Sequence, residues 1–104
     1  RCYLVPQTID LGNLTSSTKN PVKFKFAIRN EGKTEMRVMR VFSQSQAIRI
    51  SRYPATIKPE KSADSEGSLN INKLPSGPFN IKIEVLTNDP LHPARTISIV
   101  GIKE

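Results

Sequence analysis

One histidine, one cysteine and nine carboxylates are all that this chain of 104 residues offers for acid–base, nucleophilic or metal chemistry. Nucleophilic catalysis needs a Ser or Cys with a base in hydrogen-bond reach and a third group that orients the base. His92 stands between Leu91 and Pro93 in a proline-bracketed turn, whereas Cys2 lies at the far end of the sequence. A zinc site needs clustered Cys and His, and no such spacing occurs. Asp64 and Glu66 are the nearest thing to a carboxylate pair, but the polar stretch from Ser62 to Gly67 reads as a connector that would not hold them at a defined separation. No glycine-rich phosphate loop is present. The residues therefore predict no catalytic site, no resident metal and no cofactor. His92 reads as a surface turn residue. Cys2 reads as an ordinary thiol on the first strand, with a pairing partner in a neighbouring domain as the alternative.

One polar cluster stands out, at Thr87-Asn88-Asp89-Pro90-Leu91-His92-Pro93. Short polar side chains before a proline accept hydrogen bonds from main-chain amides just downstream, and Pro90 and Pro93 fix φ, so Asn88, Asp89, Pro90 and Pro93 are expected to form a rigid structural turn. A Ca²⁺ site on Asn88 and Asp89 is the sharper alternative. Calcium takes six to eight oxygens, and only two or three can be named here.

Charge gives a second candidate. Sixteen Lys and Arg against nine Asp and Glu leave a net charge of +7. Alternation along Val22–Asn30 turns Phe24, Phe26 and Ile28 inward and Lys23, Lys25 and Arg29 outward. With Arg37 they form a candidate basic face for an anionic partner, attracted over a range that salt shortens. Stacking on single-stranded nucleic acid calls for interleaved aromatics, yet Tyr3 and Tyr53 are the only tyrosines and tryptophan is absent. The competing reading is a solvated strand face that Lys and Arg keep soluble and unpaired.

The elements that position these residues are extended. After a turn at Pro75-Ser76-Gly77-Pro78, Phe79–Thr87 and Thr96–Val100 alternate strictly around the proline-bracketed turn, the pattern of two antiparallel strands with one face on a core. Upstream, Tyr3–Val5 and Thr8–Leu11 precede a turn at Asp10–Leu14, and Asn30-Glu31-Gly32-Lys33 reads as a hairpin turn after Val22–Asn30. In Glu35–Ser43, Met36 and Val38 share a face while Val41 falls out of phase, which predicts a bulge. Ala47–Ser51 and Ser68–Asn72 complete the set, with Ile57 inward between them. No window keeps apolar residues at helical spacing. About seven short strands with turns every ~8–12 residues indicate an all-β, immunoglobulin-like β-sandwich of antiparallel strands in a single domain, residues 1–104. The chain has no apolar run near the ~20 residues that span a bilayer, and Arg1–Pro6 lacks the apolar stretch of a signal peptide. Arg at position 1 suggests excision from something longer. Asn13-Leu14-Thr15 matches the glycosylation acceptor pattern, a frequent chance match.

Seven pieces in register carry a resemblance: Asp10-Leu11-Gly12, Phe24-x-Phe26-x-Ile28-x-Asn30-x-Gly32, Met36-x-Val38-x-x-Val41, Ile57-x-Pro59, Gly77-x-Phe79, Thr87-Asn88-Asp89-Pro90-x-x-Pro93 and Ile97-x-Ile99-x-Gly101. Their order resembles the bacterial domain of unknown function fifteen seventy-three, frequent in Bacteroidetes, and is similar to abnormal-spindle and hydin type domains, related to the major sperm protein and pilus-chaperone sandwiches. The resemblance implies a non-catalytic structural or protein-interaction module of an exported protein, periplasmic or on the cell surface, whose partner is another protein or a neighbouring domain. An anionic glycan, lipid head group or nucleic acid on the basic face is the alternative partner. The bacterial family often carries Ser-Cys-Gly-Cys after the third strand. This chain has Phe42-Ser43-Gln44-Ser45-Gln46 there, so no metal or redox role transfers.

Overall fold

Residues 1–104 are described by a computed structural model. The chain forms nine strands: β1 (Cys2–Val5), β2 (Thr8–Leu14), β3 (Val22–Asn30), β4 (Met36–Phe42), β5 (Ile48–Arg52), β6 (Thr56–Ile57), β7 (Ser62–Leu69), β8 (Gly77–Thr87) and β9 (Ala94–Lys103). A single 3₁₀ turn, Ile71–Lys73, follows β7. Two sheets face each other, with strand orders β1-β3-β7-β5 and β2-β9-β8-β4-β6. This is the all-β sandwich that the alternating pattern predicts.

The inward residues do the assembling. Phe24, Phe26 and Ile28 from β3 meet Ile83 and Val85 from β8 and Ile97 and Ile99 from β9, all buried. Each such side chain contributes roughly 1.5–3 kcal/mol of transfer free energy on leaving water. A smaller cluster of Leu14, Ala47, Leu69, Ile71 and Leu74 closes one end. The molecule is elongated, 46 × 20 × 19 Å, along the strand direction. Arg1 starts at the end occupied by the β8–β9 turn, where its carbonyl accepts the Glu31 amide at 2.7 Å. Glu104 finishes at the other end, its amide on Leu14 O at 2.9 Å.

Several sequence expectations need correction. Ser62–Gly67 is not a connector but most of β7, an inner strand flanked by β3 and β5. Its inward positions Ser65 and Gly67 are small, so the apolar alternation that marks a strand is missing. Gly67 is small because a Cβ there would lie 2.7 Å from Phe24 Cζ and 2.8 Å from Arg49 O. The Ser65 hydroxyl donates to Arg52 O. The segment expected at Ser68–Asn72 is the end of β7 followed by the 3₁₀ turn, which Asn70 caps by accepting the Asn72 amide.

Asn30–Lys33 does not close a hairpin, because β3 and β4 lie in different sheets. It is an arch built on the buried Asn30 side chain, which donates to Thr34 O and Ile57 O and accepts the Gly32 amide. Asp10–Leu14 is likewise not a turn. β2 runs through it with a register shift between Asp10 and Asn13, where Gly12 takes φ +70° and its amide is held by the Asp10 carboxylate. Not every pair is antiparallel either: β2 runs parallel to β9. The bulge in β4 lies between Val38 and Arg40, as the phase slip predicts.

Candidate functional site

The β8–β9 turn reaches across the sandwich to the first strand. Asp89, only 6 % exposed, accepts the Leu91 amide at 3.0 Å on one carboxylate oxygen and the Cys2 amide at 2.8 Å on the other. The N-terminal ammonium stands 3.7 Å from the second oxygen. Burial disfavours the charged form, but the Leu91 and Cys2 amides and the ammonium outweigh it, and the Asp89 pKa falls below the ordinary carboxylate value. Asn88 takes a different partner: its side-chain oxygen accepts the Arg37 amide of β4 at 2.9 Å, and its own amide donates to Arg37 O. The Leu91 bond is local and downstream. The bonds to Cys2 and Arg37 span 87 and 51 residues, and sequence spacing gave no signal of either. Pro93 O accepts the Thr87 amide across the base of the turn, and Pro90 follows Asp89 on the surface.

β1 is gripped on its other polar atom too. Arg95 Nε donates to Cys2 O at 2.9 Å, and its guanidinium lies 5.3 Å from the centre of the Tyr3 ring. Cys2 is wholly buried and unpaired. Desolvation raises its thiol pKa, with Asp89 adding to that effect and Arg95 and the ammonium opposing it.

The four basic candidates do not form one patch. Lys23, Lys25 and Arg29 share the outer face of β3, whereas Arg37 lies on β4 in the other sheet. Acids from β7 stand among the three: Lys25 is opposite Glu66, which pairs with Arg52 at 2.6 Å. Arg29 pairs with Glu31. The row Lys23, Ser68, Arg49 crosses three strands with two basic residues and no acid. Asp64 and Glu66, expected in a loop, lie on this strand and face the same way by alternation. On the opposite sheet, Ser43, Gln44, Asn80, Lys82, Glu84 and Thr96 line a shallow polar groove of about 400 Å³. His92 is half-buried in the turn.

The outermost strands are each short, irregular or capped, but β6 covers β4 only at Met36 and Arg37, which leaves Met39–Phe42 of β4 without a strand partner on that side. A bare edge strand is a template for pairing with another chain, and short length, bulges or capped polar groups blunt it. In the four-stranded sheet, β1 has its Cys2 amide and carbonyl occupied by Asp89 and Arg95, and β5 is irregular between Ile50 and Arg52. In the five-stranded sheet, β2 carries the Gly12 bulge and β6 has two residues.

These features define an all-β, immunoglobulin-like sandwich. The chain belongs to the family "Protein of unknown function (DUF1573)", whose model matches residues 4–102. A protein of unknown function from Porphyromonas gingivalis W83 superposes with a TM-score of 0.82 at 22% identity, over 97% of this chain and 46% of that one. The present chain thus spans about half of that protein's length. The ASH/PapD-like domain 7 of human CEP192 matches with a TM-score of 0.70 at 12% identity, over 99% of this chain and 84% of that one. The periplasmic chaperone SfaE matches with a TM-score of 0.62 at 10% identity, over all of this chain and 57% of that one. No curated protein matches by sequence. At these identities the likeness speaks for the fold alone.

Proposed function

We propose that this domain is a non-catalytic structural and protein-interaction module of a longer exported protein, working in the periplasm or on the cell surface. The observation that carries the reading is how the chemically capable groups are spent. Asp89, Asn30, Asn88 and Arg95 each bind backbone of a distant element, so their polar capacity goes into fixing the arrangement of strands. The family membership and the likeness to a periplasmic chaperone support an exported, protein-facing role. The capped, short or irregular outermost strands leave the Met39–Phe42 stretch of β4 as an open edge, so contact through a sheet face, an end of the sandwich or that stretch fits the role.

The test is a pull-down of the tagged domain from envelope extract at low and high salt. A protein retained at high salt supports the module, and a strictly monomeric domain that retains nothing refutes the interaction half of the reading.

A second reading has one observation of its own: the acid-free row of Lys23, Ser68 and Arg49 on the outer face of the four-stranded sheet. On it an anionic glycan, lipid head group or nucleic acid would bind at low ionic strength and leave as salt rises. Joint charge reversal of Lys23, Lys25 and Arg49 should abolish that binding. Unchanged retention of an acidic polymer by the triple variant would sink it.

A further inference from the structure

Arg1 and Glu104 lie at opposite ends of a body 46 Å long, and the strands run along that length. β1 descends from the Arg1 end, as its register opposite β3 shows: Cys2 faces Asn30 and Val5 faces Ala27. The chain then passes at Pro6-Gln7 into the other sheet and continues downward as β2, in parallel with β9 from Thr8–Ser98 to Leu14–Lys103. β9 ends at the Glu104 end. Tension between the termini therefore draws β1 and β2 up along their own axes and β9 down along its axis.

Bonds between strands lie across the strand direction. A pull along the strands loads a whole ladder at once, whereas a pull across them opens the bonds one after another. The β2–β9 ladder is closed at both ends by further bonds, Ser98 N–H to Gln7 O at 3.0 Å and Glu104 N–H to Leu14 O at 2.9 Å. β9 is held from its other side by β8 through ten register pairs, Gly77–Lys103 to Leu86–Ala94, so sliding falls on the five pairs with β2. Above that ladder, β1 must first slip from β3, and Asp89 and Arg95 hold Cys2 by its amide and carbonyl.

We infer that the domain is a force-bearing element, with the parallel β2–β9 ladder as its mechanical clamp and β1, fastened by Asp89 and Arg95, as a weaker latch that yields first. The inference goes beyond the structural-module reading and stands on topology alone, whichever partner the domain has. Its physiological stimulus would be tension along an envelope protein that contains the domain.

Single-molecule force spectroscopy on the 104-residue chain tests it. One attachment uses the two termini. The other uses a cysteine handle in an exposed turn, Ser16→Cys, and the C-terminus, both at the Glu104 end, so that the pull opens β2 from β9 bond by bond; the native thiol at Cys2 is buried and does not compete. Forced rupture follows the unfolding rate along the pulled direction, and the terminal attachment should rupture at about twice the force of the Ser16 attachment or more. Equal or lower force in the terminal geometry overturns the clamp. In the terminal geometry a short first release, well below the about 2–2.5 nm that residues 1–7 measure when extended because β1 already lies extended along the pull, should precede the main rupture. Asp89→Ala should lower the first event and leave the main one. A main rupture that falls as far as the first would place the resistance in β1 and overturn the assignment to β2–β9.

Discussion

Asp89→Ala is the sharpest equilibrium test of how this sandwich is held together. The substitution strips an acceptor from the amides of Cys2 and Leu91 at once. An orphaned buried donor costs about 1–3 kcal/mol. Leu91 is 68% exposed, so water can take over much of its bond, whereas Cys2 is 0% exposed and stays unsatisfied. The expected loss is about 2–4 kcal/mol, a large share of the 5–15 kcal/mol typical of a domain. With a urea dependence of about 1–3 kcal/mol/M the unfolding midpoint should drop by roughly 1–2 M.

The pH dependence supplies the sign. Asp89 has a lowered pKa in the fold, so its contribution is present above the unfolded carboxylate value of about 4 and is lost as pH falls through the lower folded value. The difference between wild type and Asp89→Ala should therefore be full at pH 7 and shrink on acidification below about pH 4. Urea titrations of both proteins at several pH values make the measurement. A midpoint that does not move at pH 7, or a gap that widens in acid, would refute the account of Asp89 as a charged tie between the last turn and the first strand.

The remaining predictions concern single contacts. Asn30→Ala leaves no partner for Ile57 O, Thr34 O and the Gly32 amide, and should cost about 2–4 kcal/mol by urea unfolding, with no change in the far-ultraviolet signature of the strands. Gly67→Ala should cost about 1–3 kcal/mol, because Phe24 can shift its ring tip but Arg49 O is backbone; a stabilised variant would show that β5 and β7 are not packed as described. The Cys2 thiol, buried and with a raised pKa, should react with a thiol reagent at neutral pH only as fast as β1 opens. Asp89→Ala should accelerate that reaction already in the absence of urea. Because the raised pKa favours the neutral thiol in the fold, that contribution is complete below the ordinary value of 9.0 and is lost as pH rises past it.

What could be read from sequence tracks how local each determinant is. β3, β8 and β9 were legible because their inward positions are large and apolar at strict alternation, a signal carried within each strand. β7 was not, because its inward Ser65 and Gly67 are chosen by neighbours, Arg52 O for the hydroxyl and the Phe24 ring for the missing side chain. The arch at Asn30 reads locally as a hairpin because Asn-x-Gly also suits a tight turn. Which sheet the next strand joins is settled by Ile57, 27 residues away. The basic face was legible only as far as β3 alternation reached. Arg37, on another strand, was assigned to it on charge alone, and the acids of β7 were hidden by the misread connector.

The same distinction bears on where function lies in this molecule. Three of its long-range polar bonds, Asp89 to Cys2, Asn88 to Arg37 and Arg95 to Cys2, converge near the turn between β8 and β9, and two of them grip β1. Core burial alone would place β1 beside β3, since Cys2 and Leu4 already bury their side chains there. Added polar ties on one short strand raise the barrier to losing that strand more than they raise the stability of the core, and an element lost early is one whose local opening governs the response to force or attack. Asp89 thereby sets when the first strand lets go in addition to its share of the stability of the sandwich. The two roles separate experimentally: the first appears in Cys2 reactivity under native conditions, the second in the urea midpoint. A variant that changes the midpoint while leaving the thiol closed would assign Asp89 to the core after all.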